Sequence, residues 1–405
     1  EPVFEKDRYS AFAATGLGWW LEGTGAGALV ICGAVTHLCC QAAAWDAMAR
    51  DMVPVMASDA CAGRDPGLHG AVLEALEHAG AVVTCSRTLA AGISPAAAPA
   101  PGPPCARREA VIIGAGPAGL AAAAHLARCG VPHVLLEKGS PGGLLSSAWR
   151  VENLPGSTGP LAGEAAAGIM VWRAAASGAA ILHGEALSVE TSREGLLVRL
   201  ADGRSLEAPS VVVATGTVPD PAAAAGLPPL PEGLLHRDVR EVERITWRPP
   251  VLVLGGGDAA FDHALRLHDG GFEVVLAHRA ASPGACRRLV EAAEREVRVM
   301  PSTVLAASGE MRGAVCGLTL AGPDGTSVME AGAVLAAFGR VPTLPLLPPG
   351  AGTRTNRSCR TPVEGLYLAG DAGRGRDRQA AIAAADGLAA AMDIASSGRR
   401  AWCWK

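Results

Sequence analysis

Three glycines, Gly114, Gly116 and Gly119, follow the apolar run Val111 to Ile113 and frame Pro117 and Ala118 at the head of an alanine-rich stretch. The first glycine permits a tight turn, the second lets backbone approach a pyrophosphate, and the third lets a helix pack closely on its strand. The start of that helix adds free N–H groups and a positive dipole end, which suit phosphates. Glu137 closes the next strand, 23 residues after Gly114, where a carboxylate can accept the hydroxyls of an adenosine ribose. Strand, turn, helix, strand and acid in this order point to a dinucleotide site.

The construction is repeated once. Val251 to Leu254 enters Gly255, Gly256 and Gly257, then Asp258 and Ala259, with Ala260 in the third small position. Here the second strand ends on His278-Arg279 instead of an acid. An acid would favour the free 2′-hydroxyl of NAD, whereas a guanidinium can pair with the 2′-phosphate of NADP. NADPH is therefore the expected nucleotide, with NADH the alternative.

These turns need α/β layers to hold them. Residues 93–107, rich in proline and alanine, form an extended tether. The 1–92 segment before it alternates apolar strands (ALVIC, VPVMA, AVVT) with helical stretches. Strands flanking Asp202-Gly203 read as a hairpin inserted into the later layers. The chain has 405 residues, enough for several cores. Its net charge of -4 gives no pull toward nucleic acid or anionic membrane. No uninterrupted apolar run reaches the roughly 18 residues that span a bilayer. Eleven cysteines without a CxxC suggest reduced thiols in a cytoplasmic protein, and no metal site is expected. The chain opens at Glu1 with no initiator methionine or signal-peptide pattern, so it reads as a fragment or a processed form.

Further motifs follow the first turn: GGLL at Gly142 to Leu145, VENLPG at Val151 to Gly156, ATG at Ala214 to Gly216, GLYLAGDA at Gly365 to Ala372 and RQAA at Arg378 to Ala381. In this order they resemble the thioredoxin-reductase-like branch of two-dinucleotide flavoproteins, over roughly residues 108–397. The resemblance implies a homodimer that binds FAD and a nicotinamide dinucleotide. It places the FAD pyrophosphate over Gly114 to Gly119, with Gly143, Thr215, Gly216 and Gly370 lining the cofactor. It puts Asn153 at the flavin end, Asp371 on the ribityl chain, and Arg378, Gln379 and Ala380 near the isoalloxazine ring. Members usually follow the arginine of the second site with two more. Those places hold Ala280 and Gly284 here, leaving Arg287 or Arg288 to compensate or merely to cap the next helix.

Thioredoxin reductases proper carry a CxxC just before the second turn. This chain reads HRDVREVERITWR there, with Asp238 and Glu241 where the thiols would be. The segment SPGGLLSSAWRVENLPG, where glutathione-reductase relatives place theirs, has no cysteine either. A disulfide relay needs two thiols that face each other. The pattern is more similar to ferredoxin (or flavodoxin) NADP oxidoreductases of the same fold, so disulfide reduction is not expected.

Residues 1–92 resemble the later part of an isochorismatase-like cysteine hydrolase, through EKDRYSAFAATGL, GAVTHLCCQAAAWDA and VPVMASDACAG. Amide-hydrolysing members use an Asp, Lys and Cys triad. The resemblance matches Lys6 to the lysine and Cys39 to the nucleophile, where a nearby ammonium group would favour the thiolate. The family's aspartate has no counterpart in this chain, and Cys39 reads alternatively as a small buried hydrophobe.

The expected architecture is α/β: a partial hydrolase-like lobe (1–92), the linker (93–107), a discontinuous FAD domain (108–220 and 342–399) and an NAD(P) domain (221–341). Three functions fit. The first is an FAD-dependent NAD(P)H oxidoreductase serving a redox protein or small molecule. The second is that reductase paired with a working hydrolase in a biosynthetic pathway, and the third is a non-catalytic flavin-binding scaffold.

Overall fold

A computed structural model of the chain describes residues 3–402, apart from 14, 25, 51, 64, 88, 90–107, 156, 158, 353–354 and 376. The tether 93–107, with Cys105, and the tail residue Cys403 lie outside the described residues.

The first lobe runs α1 (Leu17–Thr24), β1 (Ala28–Ala34), α2 (Gln41–Met48), β2 (Val53–Ala62), α3 (Pro66–His78) and β3 (Val82–Thr84). Its three strands pair in parallel in the order β1-β2-β3. Met56, Leu76 and Ala44 are buried at their centre, with Phe12 and Leu21 from the entry segment. α1 packs on the next lobe, where a Cβ added at Gly168 would lie 3.9 Å from the Cα of Gly16.

The second lobe begins with β4 (Ala110–Ile113), α4 (Pro117–Arg128), β5 (His133–Glu137), α5 (Gly163–Ala176) and β6 (Ile181–His183). A meander follows, β7 (Ala186–Thr191), β8 (Leu196–Leu200) and β9 (Ser205–Ala208), then β10 (Ser210–Val213) and β11 (Thr217–Pro219). Alternation along β4 explains the layers, because side chains of a strand point to opposite faces. Ala110 and Ile112 face the helices, whereas Val111 and Ile113 face Val198 and Leu200 of the meander. Asp202-Gly203 turns between β8 and β9, which pair antiparallel.

The third lobe repeats this plan: β12 (Leu235–His236), α6 (Val239–Glu243), β13 (Val251–Leu254), α7 (Asp258–Asp269), β14 (Val274–Ala277), α8 (Arg287–Glu296) and β15 (Arg298–Met300). Its own meander is β16 (Val304–Arg312), β17 (Val315–Gly322) and β18 (Gly325–Ala331), followed by β19 (Ala333–Ala336) and β20 (Arg340–Pro342). Val251 and Val253 pack on the helices, Leu252 and Leu254 on Leu318 and Leu320.

The chain then returns to the second lobe through β21 (Leu366–Leu368) and α9 (Ala380–Trp402). β21 pairs with β10, completing the parallel order β21-β10-β4-β5-β6. The third lobe's sheet is β12-β19-β13-β14-β15. The two crossings between these lobes, β11 and β20, pair antiparallel with each other. By length and composition α9 could cross a membrane, but Ala383, Ala390, Ala391 and Ile394 are buried in the core it shares with α4.

Candidate functional site

The parallel order brings the ends of β4, β5, β10 and β21 to one edge of the second lobe's sheet, the edge where such sheets bind ligands. Gly114 adopts φ +102°, and a Cβ there would lie 2.5 Å from the Ala214 carbonyl. A Cβ at Gly119 would come within 1.8 Å of the Gly114 carbonyl oxygen, so α4 is seated as close to its strand as backbone allows. A Cβ at Gly116 would meet nothing nearer than the Gly143 Cα at 4.0 Å, leaving the backbone open. α4 begins at Pro117 and no side chain caps it. The uncapped N–H groups and open backbone fit a pyrophosphate.

Glu137 holds this turn in shape. Its carboxylate accepts from Ala115 N–H at 2.7 Å and from Gly139 N–H at 2.8 Å. Ala118 is overlaid from the other side, since a Cβ at Gly387 of α9 would lie 1.9 Å from the Ala118 carbonyl. Sequence reasoning passed over Gly387. Its signal was a glycine inside a long helix, a placement that costs roughly 0.5–1 kcal/mol without a packing reason.

Residues from opposite ends of the module meet beyond the turn. Asn153 Nδ2 donates to Gln379 Oε1 at 2.5 Å, and Thr215 Oγ1 donates to the Thr343 carbonyl. Gly370 N–H donates to Asp386 at 3.2 Å, Gly216 leads into β11, and Ala380 starts α9. Burial raises the Asp371 carboxyl above its usual range, against the pull of Arg378 and Arg340. The Arg378 guanidinium donates to the backbone carbonyls of Arg340 (2.7 Å) and Arg374 (3.3 and 3.4 Å).

At the second turn Gly255 is also left-handed, with φ +146°, and α7 again lacks a side-chain cap. A Cβ at Gly257 would meet nothing within 4 Å, and Ala259 beside it is exposed. Ala260 is fully buried. Asp258 accepts from Cys286 N–H at 2.6 Å and so anchors the start of α8. His278 is buried beside Gly256, and its Nδ1 has no hydrogen-bond partner among the described residues. Arg279 is exposed, while Arg287 pairs with Glu291 and Arg288 with Glu152 of the second lobe. Of the three arginines, Arg279 alone is left without an ion pair among the described residues.

One face of α7 grips the second lobe. Trp149 donates its backbone N–H to Asp262 (2.9 Å) and its ring N–H to Asp269 (2.7 Å). Arg266 bridges Glu243 and Glu164 and donates to the carbonyls of Ser146 and Ala148. Burial raises the Asp262 carboxyl to about 6, against the stabilising Trp149 N–H. No periodicity marked this clasp beforehand.

In the first lobe, Lys6 Nζ donates to Cys39 Sγ at 3.3 Å and to the carbonyls of Arg8 and Tyr9 at 2.9 and 3.1 Å. Cys39 lies in the wide turn Thr36–Cys40 that feeds α2. Its neighbour Cys40 turns into the core, where burial pushes the thiol up to about 12. Thr36 Oγ1 and His69 Nδ1 share a 2.8 Å hydrogen bond that fastens the same turn to α3.

Comparison with known proteins finds two families along the chain. Residues 1–88 match the isochorismatase domain family, and residues 108–387 match the pyridine nucleotide-disulphide oxidoreductase family. The chain is 30% identical over 303 residues to a bifunctional thioredoxin reductase/thioredoxin of Mycobacterium leprae, covering 70% of this chain and 64% of that one. It is 29% identical over 300 residues to a thioredoxin reductase of Treponema pallidum, covering 71% and 96%. Among solved structures it is similar to thioredoxin reductases from T. acidophilum (TM-score 0.64, 23% identity) and Lactococcus lactis (0.61, 22%). Each comparison spans 72% of this chain and 98% of that structure.

Proposed function

Since the chain belongs to the pyridine nucleotide-disulphide oxidoreductase family, whose match covers residues 108–387, we propose that this module moves electrons from NADPH through FAD to an acceptor without a dithiol of its own. The family's cofactors fit the two turns, which pair open glycine backbone with an uncapped helix start. Bound together they supply hydride transfer from nicotinamide to flavin. The chain's residues bind and orient: Gly114, Gly116 and Gly119 around one pyrophosphate with Glu137 at its adenosine ribose, Gly255, Gly257 and Arg279 around the other nucleotide. The proposed boundaries are those of the sequence reading, with the FAD domain split around residues 221–341. A cytoplasmic homodimer with no nucleic-acid partner completes the proposal.

The observation that carries the acceptor class is the segment before the second turn. There Asp238 caps α6 and pairs with Arg240 at 2.6 Å, in the place where related enzymes carry thiols. The named relatives are thioredoxin reductases, so thioredoxin is the acceptor to test. Anaerobic NADPH should bleach the flavin absorbance and support ferricyanide reduction, with no turnover of thioredoxin or an aromatic disulfide. Robust disulfide turnover overturns the acceptor class. A protein that purifies and reconstitutes without flavin overturns the oxidoreductase reading, and bound flavin that NADPH cannot reduce leaves a scaffold.

The contact between Lys6 and Cys39 favours a second reading, in which the first lobe is a cysteine amidohydrolase. Ammonia release from carboxamides, abolished in Cys39→Ala and unaltered in Cys40→Ala, would support it. Equal rates in Cys39→Ala and the parent would remove it.

A further inference from the structure

We infer that Arg340 is a flavin-site residue, a second guanidinium beside Arg378 that stabilises the charge gained when the flavin is reduced. This rests on the flavin reading above, which puts Arg378 to Ala380 near the isoalloxazine ring. Arg340 opens β20, on the return crossing between the lobes. Its Nε donates to Thr217 Oγ1 at 3.1 Å and its Nη2 to the Thr217 carbonyl at 2.8 Å. Its own carbonyl accepts from Arg378 at 2.7 Å, which fixes the two arginines relative to each other.

Its guanidinium competes with others for carboxylates. Arg240 and Arg378 stand near Arg340, beside Asp238 and Asp371. Asp238 is already committed to Arg240, by a bidentate pairing. His263, which also faces Asp238, Arg340, Arg266 and Arg240, adds no charge, because burial lowers it to about 4. Burial likewise pulls Arg340 below the ordinary arginine range. No carboxylate among the described residues forms an ion pair with Arg340 or Arg378. A half-buried cation that shares its remaining nearby carboxylate, Asp371, with a second guanidinium is incompletely compensated, and a bound group that becomes negative would relieve that cost. Transfer of a hydride from nicotinamide to a neutral isoalloxazine adds two electrons and one proton, leaving one net negative charge. A fixed guanidinium close to the ring favours that state and so raises the flavin potential.

The test is the flavin midpoint potential of FAD-loaded protein, measured against a reference dye in the parent, Arg340→Gln and Arg340→Lys. Removing the charge should shift the reduction equilibrium about tenfold toward oxidised flavin, about 30 mV for a two-electron couple, and lysine should restore most of it. A Gln variant within twofold of the parent, or a Lys variant shifted as far as Gln, overturns the inference. Should Arg340→Gln fail to retain FAD, the same measurement on Thr217→Val decides. That change loosens the guanidinium without removing it, so a smaller shift of the same sign supports the role, and no shift overturns it. A parent protein that binds no FAD would instead sink the flavin reading itself.

Discussion

The two glycine-rich turns share a plan but differ in tightness. At the first, the third small residue is Gly119, and a Cβ there would overlap the Gly114 carbonyl at 1.8 Å. At the second, that place holds Ala260, whose Cβ fits against Gly255, 3.0 Å from where a Cβ on that glycine would stand. The strand ends differ in the same sense. Glu137 is locked to the backbone of its own turn, whereas Arg279 is exposed and has no ion pair among the described residues. A rigid, preformed cradle suits a resident cofactor. A loosely held guanidinium suits a nucleotide that arrives, reacts and leaves. Elsewhere in the molecule, α3 and α6 are capped by Asp65 and Asp238. Helices α2, α5 and α8 also start without a side-chain cap, so it is the open glycine backbone at Gly116 and Gly257 that marks the two fingerprint turns.

The sharpest break in the comparison is to place the same small side chain in both turns. Gly119→Ala should abolish FAD retention, read from the flavin-to-protein absorbance ratio, because the methyl has no room. Ala260→Gly should cost about 1 kcal/mol of stability and leave flavin content intact. Loss of flavin in both, or in neither, would erase the difference drawn between them. Gly116→Val, whose side chain would fill the open pyrophosphate position, should also strip the flavin.

Next in size is Arg279→Ala. Loss of a charge-assisted hydrogen bond is worth about 1.5–3 kcal/mol, so the KM for NADPH should rise roughly tenfold or more, while that for NADH changes little. Equal effects on both nucleotides would make Arg279 structural.

The clasp between lobes has a pH signature. The folded-state carboxyl of Asp262 titrates near 6 instead of at its ordinary 3.8, because burial disfavours the ionised form. Its contribution to stability is therefore fully present below about 3.8 and is lost as pH rises through about 6. Asp262→Asn should flatten the dependence of unfolding free energy on pH across this window, by a few kcal/mol at most, since one pKa unit is worth about 1.4 kcal/mol. An unchanged slope would show that another group carries the titration.

The smallest expected effect is that of removing every thiol from the module. Cys129 lies at the end of α4 and Cys286 is exposed, whereas Cys316 and Cys359 are buried in separate cores. Serine at these four, and at Cys105 and Cys403, should leave NADPH-dependent ferricyanide reduction largely intact, with some loss of stability from the buried pair. A large loss of turnover in well-folded protein would reinstate a thiol in the mechanism.

Both dinucleotide turns were legible in the sequence because each is nearly complete within one β-α-β stretch. Strand, glycine spacing, helix and closing residue are set by local chain geometry, and α/β layering followed from the alternation of apolar runs. Lys6 and Cys39 were found through family motifs, although their contact joins residues 33 apart. What the motifs did not specify was how the lobes face each other. Trp149 meets Asp262 across 113 residues, and Arg340 meets Thr217 across 123. Neither pair has a periodicity or a turn signature: the first exists only once the two lobes are docked, the second only once the outgoing crossing β11 and the return crossing β20 pair. The local sequence determined where phosphates can sit. Only the tertiary structure decided which charges surround Arg378, at the proposed flavin end, since that depends on how the chain leaves one lobe and returns to it.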